Sequence, residues 1–300
     1  MAEKLRREVA TLGRFEAHRV GDEVVYFDPE PHLYYDEIRP NKSGGYSFVK
    51  GSNLIGCSTP VKALDTDTDQ LMWWVAKFDQ IGIAELIGRA LDNDAPLDWM
   101  REPATIGRAL REAELTWWHV RKRAARRGSR IHELIFLALA QEKRPPSLSR
   151  LSAEERGYGQ AAIRWWREHE PTPIYAEQVT LCRGHRVAGR FDLLCEIGGE
   201  RVLVDAKTRE KGAVRLGDHA QLAGYEMCNE ACGLGSSDRR VALILKPDGT
   251  YVAHDGLGTE ADFIAALEAY RRGRELSKRM DAAEKAKARK AETSGVGWPE

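Results

Sequence analysis

Hydrophobic and polar residues alternate in two neighbouring segments near the middle of the chain. The first covers residues 187–197 and the second covers residues 201–207, and a period of two is typical of β-strands. Gly198 and Gly199 separate the two segments, and a two-glycine connection favours a tight hairpin. The pattern therefore predicts an antiparallel hairpin in which Ile197 and Glu200 flank the turn.

That register brings charged residues of the two strands together. It sets Asp192 opposite Asp205 and Arg190 opposite Lys207, and Asp205 and Lys207 share one face because they lie two residues apart. Paired Cβ atoms on neighbouring strands are about 4.5–5.5 Å apart, so two carboxylates there repel each other unless something neutralises them. A divalent cation is a candidate, since hard cations such as Mg²⁺ bind carboxylate oxygens.

The rest of the chain is expected to alternate helices with strands. Ser152 and Glu155 form a capping box that starts a helix ending near residue 168, and a strand over residues 174–181 follows. Beyond the hairpin we expect a helix that carries Gln221 and Tyr225 on one face, four residues apart, then a strand over residues 240–246 and a helix from about residue 260. Upstream, the pattern predicts a hairpin over residues 24–35 and helices over about residues 68–91 and 106–127.

A D-x-K triplet alone is a weak pattern in a chain with 31% charged residues. Asp205 and Lys207 would then be part of an ordinary solvated strand face. The in-register Asp192, together with Gln221 and Tyr225 on the next helix, favours a functional site instead.

Four motifs in order resemble a known family. G-x-x-D ends at Asp192, D-x-K ends at Lys207, Q-x-x-x-Y ends at Tyr225, and an upstream G-S-R-I-H segment ends at His132. In this order and spacing they resemble the PD-(D/E)xK nuclease superfamily, specifically its RecB-like exonuclease branch, which includes the CRISPR adaptation nucleases. The resemblance covers roughly residues 128–246.

The resemblance implies an α/β (α+β) fold with a restriction-endonuclease-like αβββαβ core. The expected organisation is an N-terminal hairpin and helical region over residues 1–127, a nuclease core over residues 128–256, and a C-terminal helix and tail over residues 257–300. The segment that ends at His132 is expected to open a helix whose apolar positions face the core, namely Ile131, Leu134, Ile135, Ala138 and Leu139.

The resemblance also implies the roles of the site residues. The expected metal ligands are the side chains of His132, Asp192 and Asp205 with the carbonyl of Ala206, and the expected cation is Mg²⁺ or Mn²⁺. Asp192, Asp205, Lys207 and Glu177 would carry the chemistry, with Lys207 acting electrostatically because neighbouring carboxylates keep an ammonium charged. Gln221 and Tyr225 would hold the substrate backbone.

Two of these residues have ordinary alternatives. A single histidine beside an apolar helix face, such as His132, is often only a hydrogen-bonded core residue. A glutamate at the start of a strand, such as Glu177, is often only solvated.

The formal net charge is zero, so no global field attracts the protein to nucleic acid. Residues 121–130, however, contain six basic residues and no acid. Such a run is often a solvated helix face, but this one precedes His132, where a phosphate backbone would lie. We therefore predict DNA contacts by Arg126, Arg127 and Arg130.

Cysteine and tryptophan add smaller points. Five cysteines without a C-x-x-C motif are typical of reduced thiols. No iron–sulfur cluster is expected, and Cys228 and Cys232 are expected to be packing residues.

Three adjacent tryptophan pairs, at residues 73–74, 117–118 and 165–166, each predict one indole towards the core and one nearer the surface. An exposed indole can stack on single-stranded bases.

The resulting hypothesis is a cytoplasmic, metal-dependent DNA nuclease without a membrane segment. An exonuclease of DNA replication, recombination or repair is favoured, acting on single strands or accessible ends. A helicase or recombination partner is possible because the chain has no G-x-x-x-x-G-K-[ST] phosphate loop. The alternatives are a site-specific endonuclease of the same superfamily, or a non-catalytic nucleic-acid-binding module on a nuclease fold.

Overall fold

The computed structural model describes residues 9–20, 23–30, 32–65, 68–142 and 146–293. Strands come first, helices follow, and the rest of the described chain alternates strands with helices. The strands are β1 (Val9–Leu12), β2 (Phe15–Val20), β3 (Glu23–Asp28), β4 (Leu33–Tyr35), β5 (Ile38–Pro40), β6 (Tyr46–Phe48), β7 (Asn53–Gly56), β8 (Thr172–Cys182), β9 (Val187–Ile197), β10 (Glu200–Thr208), β11 (Arg239–Leu245) and β12 (Tyr251–Asp255). The α-helices are α1 (Thr68–Asp92), α2 (Pro103–Glu112), α3 (Trp117–Ile131), α4 (Leu137–Glu142), α5 (Ala153–His169), α6 (Leu216–Ala231) and α7 (Glu260–Thr293).

The predicted hairpin is β9 and β10, and its register is confirmed from Ile197–Glu200 to Leu193–Val204. Both turn glycines have positive φ, 61° at Gly198 and 88° at Gly199, which the tight turn requires. The ladder ends one step before the two aspartates. The backbone N–H of Ala206 donates instead to the Asp192 carboxylate, over 2.6 Å.

The predicted pairing of Arg190 with Lys207 is wrong, since the β10 ladder does not extend so far along β9. Arg190 pairs with Val179 on β8 instead. The strand β8 occupies one edge of β9 from Val187 onwards. The other edge is shared, because β7 pairs in parallel with Val187 and Ala188 and β10 pairs only from Leu193. Residues 189–192, the G-R-F-D segment, therefore lie where β7 and β10 diverge.

Most strands belong to one mixed sheet with the order β1-β2-β3-β4-β7-β9-β10-β11-β12, and β8 pairs with β9. Helices cover both faces, so the expected mixed α/β fold is confirmed. On one face, residues of α3 to α5 such as Ile131, Phe136 and Trp165 pack on Val204 and Leu243. On the other face, α6 and α7 pack on the sheet through residues such as Leu222, Tyr225 and Phe263. Among the described helices, none is both long and apolar enough to cross a membrane.

The N-terminal region is more sheet-like than predicted. The expected hairpin over residues 24–35 is β3 paired with β4, but β1 and β2 precede it in the same meander. Through β4, β7 and β9 this meander continues into the central sheet, so the sheet runs across the expected border at residue 128. The short strand β12, paired with β11, was also not predicted.

The helices before His132 differ from the predicted ones. The helix predicted over residues 106–127 is interrupted, since α2 ends at Glu112 and Glu114 has a left-handed φ of 56°. The segment after Gly128 does not open a helix, because α3 begins at Trp117. The described chain continues through a π-helical turn, His132–Phe136, into α4.

The π-turn also changes which residues face the core. Ile131, Ile135 and Leu139 are buried as predicted, whereas Leu134 and Ala138 are only half-buried. A π-turn contains one residue more than an α-helical turn, so the buried face advances by one position. Phe136 and Ala140 are consequently buried.

The glycines of α5 and α7 give a matched test of packing. A Cβ on Gly157 of α5 would lie 1.7 Å from the carbonyl oxygen of Pro247, whereas a Cβ on Gly273 of α7 would meet nothing within 4 Å. Gly157→Ala should therefore lower the free energy of unfolding by more than about 2 kcal/mol through overpacking. Gly273→Ala should raise it by roughly 0.5–1 kcal/mol through helix propensity. Urea denaturation of both variants measures the difference, and equal effects would contradict this packing.

Candidate metal centre

Three side chains from three elements converge at the gap in the β9 edge. Potential ligand atoms of His132, Glu177 and Asp192 all lie within 4.8 Å of one another. Nδ1 of His132 is 2.9 Å from Oδ1 of Asp192 and 3.7 Å from Oε1 of Glu177. The π-turn, β8 and β9 supply one residue each, so the group forms only in the folded chain.

Glu177 has an unusual backbone conformation within β8. Its φ is 51°, in the left-handed region that non-glycine residues rarely adopt. The flanking pairs Ala176–Leu193 and Gln178–Phe191 place Glu177 opposite Asp192. Strained backbone often occurs at functional sites, and here it accompanies a carboxylate directed towards His132.

Arg190 holds the other oxygen of Glu177. Its Nε is 3.0 Å from Oε2 of Glu177, and its guanidinium lies over the ring of Phe27, with Cζ 5.3 Å from the centroid. Burial would lower the pKa of Arg190, but the Glu177 carboxylate, together with Asp192 and two nearby tyrosines, raises the pKa. The register expected from the sequence pairs Arg190 with Lys207 and therefore does not indicate this role. The only sequence indication was the arginine within G-R-F-D.

Asp205 and Lys207 form a second pair beside the first group. Nζ of Lys207 is 2.5 Å from Oδ2 of Asp205. Asp205 is not part of the converging group, and the described contact of Ala206 is through its N–H to Asp192. Of the predicted ligands, the structure thus brings together His132 and Asp192, and it adds Glu177 rather than Asp205 or Ala206.

The converging group of His132, Glu177 and Asp192 contains opposite charges that shift one another's pKa values. Burial would lower the pKa of His132, but Asp192 and Glu177 outweigh it and raise the pKa to about 10. Burial would raise the pKa of Asp192, yet the charges of His132 and Lys207 and the Ala206 N–H lower it. At neutral pH His132 is therefore a cation held between two carboxylates.

The second pair behaves differently because Asp205 is only 1% exposed. Burial raises the pKa of Asp205 to about 6 against the attraction of the Lys207 ammonium, and the Asp192 charge adds to the rise. Burial would lower the pKa of Lys207, but Asp205 and Asp192 raise it. Lys207 is thus a persistent cation, as expected for an electrostatic role rather than a general base.

The charges of the site balance without a metal. Three carboxylates, on Glu177, Asp192 and Asp205, face three cations, on His132, Lys207 and Arg190. Of the three cations, the imidazole is the one that can ligate a metal, and a metal ligand must be deprotonated. A cation bound at Nδ1 of His132 would therefore replace a proton.

The donor atoms fit a hard divalent cation. Oδ2 of Asp205 is buried against the Lys207 ammonium, and Oε1 of Glu177 is buried and accepts no hydrogen bond of acceptable geometry from a described residue. A buried acceptor left in this way costs about 1–3 kcal/mol, which a bound cation would offset. Carboxylate oxygens suit Mg²⁺ and Mn²⁺, and an imidazole suits transition metals more than Mg²⁺.

Gln221 and Tyr225 lie on α6 beside this centre, and the Gln221 side-chain amide donates to the Tyr225 hydroxyl over 2.5 Å. Both side chains are buried. Tyr225 lies directly against the backbone of Gly189, where a Cβ would be 2.6 Å from the Tyr225 ring and 2.8 Å from Sγ of Cys57. The glycine of G-R-F-D thus allows α6 to approach β9. Burial raises the pKa of Tyr225 well above its usual value.

The predicted DNA-contacting arginines divide into two kinds. Arg127 pairs with Glu154 over 2.6 Å, and Arg130 pairs with Glu155 over 2.8 Å. Both therefore connect α3 to the start of α5. Arg126 is exposed, and no acidic partner is found for it within the described ranges. It remains the one of the three that is available to a phosphate.

The opposite pKa shifts of Asp205 and Asp192 predict opposite pH effects on the metal-free protein. Because the pKa of Asp205 is raised on folding, the folded state is penalised as pH rises from about 4 to about 6. Asp205→Asn should therefore raise the free energy of unfolding above pH 6, on the order of 2 kcal/mol, and have no effect below pH 4. Asp192→Asn should lower it at pH 7, and this loss should shrink as pH falls.

Urea denaturation in chelator between about pH 4 and pH 8 measures both curves. Two variants that shift stability in the same direction at pH 7 would contradict this assignment of the charges.

A solved structure titled "Crystal structure of SSO0001" is 17% identical, with 31% of this chain and 45% of that chain covered and a TM-score of 0.23. The chain thus spans less than half of that protein, and so slight a likeness indicates neither fold nor function. No curated protein matches the chain.

The model of one family matches most of the chain. It is that of the PD-(D/E)XK nuclease superfamily, and the match covers residues 102–293. This range contains every residue of the converging group and both the D-x-K and Q-x-x-x-Y segments. The match and the carboxylate-rich centre agree, and the chain belongs to the PD-(D/E)XK nuclease superfamily.

Proposed function

We propose that the protein is a metal-dependent exonuclease that hydrolyses phosphodiester bonds in DNA. The superfamily consists generally of metal-dependent nucleases. The observation that carries the proposal is the convergence of His132, Glu177 and Asp192 next to the Asp205–Lys207 pair. An ordinary strand face would not bury two carboxylates around one imidazole beside a buried aspartate–lysine pair.

His132, Glu177 and Asp192 would hold the cation, with Asp205 as a further ligand on the neighbouring strand. A bound Mg²⁺ or Mn²⁺ supplies an activated water and neutralises charge that develops on the phosphate. Arg190 keeps Oε2 of Glu177 in place, which leaves Oε1 directed towards His132. The Ala206 N–H fixes Oδ2 of Asp192 in the same way, leaving Oδ1 beside the imidazole.

Lys207 would stabilise the negative charge of the transition state. The Lys207 side chain is 25% exposed, and its ammonium is close to Asp205, so it can contact a phosphate oxygen while its position is fixed. The raised pKa of Lys207 excludes proton abstraction as its main role at neutral pH. Gln221 and Tyr225 would support the substrate side of α6 and keep that helix against Gly189.

The finer features of the proposal follow from the motifs. The αβββαβ core would comprise α5, β8, β9, β10, α6 and β11, in that chain order. The His132 and Gln221/Tyr225 motifs favour the RecB-like branch, and with it an exonuclease on single strands or accessible ends. A role in replication, recombination or repair, a cytoplasmic location and a helicase partner belong to the same proposal. A site-specific endonuclease and a non-catalytic binding module are the alternatives.

Cleavage should require a divalent cation and the converging carboxylates. Asp192→Ala should abolish cleavage, because it removes a ligand and the charge partner of His132. Lys207→Ala should bind metal almost normally but cleave about 10²-fold more slowly, since one preorganised electrostatic group is lost. Lys207→Arg should recover little, as a planar guanidinium cannot place its charge at the same point.

Single-turnover digestion of labelled linear DNA with Mg²⁺ or Mn²⁺, alongside calorimetric metal titration, measures these effects. Closed circular DNA of the same sequence separates the two kinds of nuclease, since only an endonuclease cleaves it. Wild-type rates in chelator or in Asp192→Ala would exclude the metal-dependent mechanism. A wild-type protein that binds DNA but cleaves no substrate would favour the binding module.

The two kinds of predicted arginine should differ in their effects on DNA binding and on stability. Arg126→Ala should weaken DNA binding and reduce the salt dependence by up to about 0.7 in log–log slope, with little change in stability. Arg127→Ala should mainly lower the unfolding midpoint, because it loses Glu154 and its contact 4.7 Å above the Tyr158 ring. Anisotropy titrations and thermal melts of both variants make the comparison, and identical profiles would contradict it.

A further inference from the structure

We propose that one exposed face of α3 is a binding track for single-stranded nucleic acid that leads to the metal centre. The track concerns how a strand reaches the site, so it rests on the proposed nuclease function. It is carried by an exposed tryptophan, by cations without acidic partners, and by the position of His132 at its end.

The track follows a single line along the helix. Steps of three and four residues bring side chains onto one helix face. Such steps connect five residues, which we call the α3 stripe: Trp118, Arg121, Ala125, Gly128 and His132. His132 begins the π-turn and belongs to the converging group. The stripe therefore ends at the proposed cation.

Trp118 marks the far end of the stripe. Its side chain is 55% exposed, and it contacts Trp117 edge to face with centroids 6.1 Å apart. That contact holds the indole while more than half of the residue stays exposed. An exposed indole offers a π-face on which a base can stack, and such stacking is worth about 1–3 kcal/mol. Of the other pairs, Trp165 is buried and Trp166 half-buried, and the side chains of Trp73 and Trp74 lie outside the described residues.

The cations of α3 differ in whether they have a bonding partner, according to the side of the helix on which they lie. Arg121 lies on the stripe, and Lys122 and Arg126 are each one position further round the helix. All three are exposed, and they have no acidic partner in the part of the chain that the structure describes. The cations on the far side are engaged, since Arg127 and Arg130 pair with α5 and Arg123 donates to the Glu114 carbonyl. Arg121 thus places a cation without a described acidic partner on the stripe, and Lys122 and Arg126 lie to one side of it, about 100° round the helix.

The segment of the stripe nearest the site has little side-chain bulk. Ala125 is exposed, so a phosphate backbone can lie close to the helix there. Gly128 lies against the end of β10, where a Cβ would be 3.6 Å from Oγ1 of Thr208, next to Lys207. The stripe therefore meets β10 beside the Asp205–Lys207 pair. Small residues alone would not make a site, but the buried Oε1 of Glu177, which accepts no hydrogen bond of acceptable geometry from the described residues, marks the end of the path.

The length of the stripe fits a short oligonucleotide. From Trp118 to His132 it measures about 21 Å at a rise of about 1.5 Å per residue. That length matches about six nucleotides at the roughly 3.4 Å spacing of a stacked strand. A duplex offers phosphates to Arg121 but no free base face to Trp118, so the tryptophan selects a single strand.

Fluorescence anisotropy with a labelled oligothymidylate of about twelve nucleotides, in chelator, tests the track without cleavage. Trp118→Ala should bind about 10-fold more weakly with an unchanged salt slope, because a stack is lost but no charge. Arg121→Ala should also bind more weakly, with the slope reduced by up to about 0.7. Trp118→Phe should retain most of the affinity. Arg274→Ala on α7 removes the same charge from an exposed helix away from the stripe and should change little.

A blunt duplex of equal length supplies the comparison, and Trp118→Ala should bind it like the wild type. Equal affinity of wild type and Trp118→Ala for the oligothymidylate overturns the track, provided circular dichroism shows both folded. Equal losses on single strand and duplex overturn the single-strand assignment. The proposed nuclease function is tested separately, since it fails only if the wild type with Mg²⁺ or Mn²⁺ cleaves nothing.

Discussion

The mutual repulsion of buried carboxylates is the constraint on which this structure depends. Glu177, Asp192 and Asp205 are all at most 6% exposed, and such a group is unstable unless cations are placed among them. His132, Lys207 and Arg190 supply that charge from three different elements. The fold therefore has to bring the π-turn, the strand β8 and the hairpin of β9 and β10 to one point. That point is the part of β9 where one edge is divided between β7 and β10.

The sharing of that edge explains why the N-terminal strands are part of the fold. If β10 paired along all of β9, the backbone of residues 189–192 would be covered. The strand β7 instead takes the first two positions, and the meander behind it brings Phe27 beneath the Arg190 guanidinium. The N-terminal sheet thus helps to position a residue that contacts the candidate metal ligand Glu177.

Local patterns predicted the elements closest to the site. Alternation and two glycines fixed β9, β10 and their register, and the Ser152 capping box is present at the start of α5. Non-local features could not be predicted in this way. The pairing of β7 with β9 joins segments far apart in sequence, and the strained φ of Glu177 has no sequence pattern. The partner of Arg190 depended on where a ladder ends, a detail that alternation does not contain.

The π-turn at His132–Phe136 separates the packing of the helix from the direction of its histidine. Because a π-turn absorbs one extra residue within a single turn, α4 keeps a core face, with Phe136 and Ala140 buried. Deleting one residue from this turn would therefore leave the packing of α4 largely unchanged. It would alter mainly the direction of the His132 side chain, and with it the ligand set of the candidate metal centre.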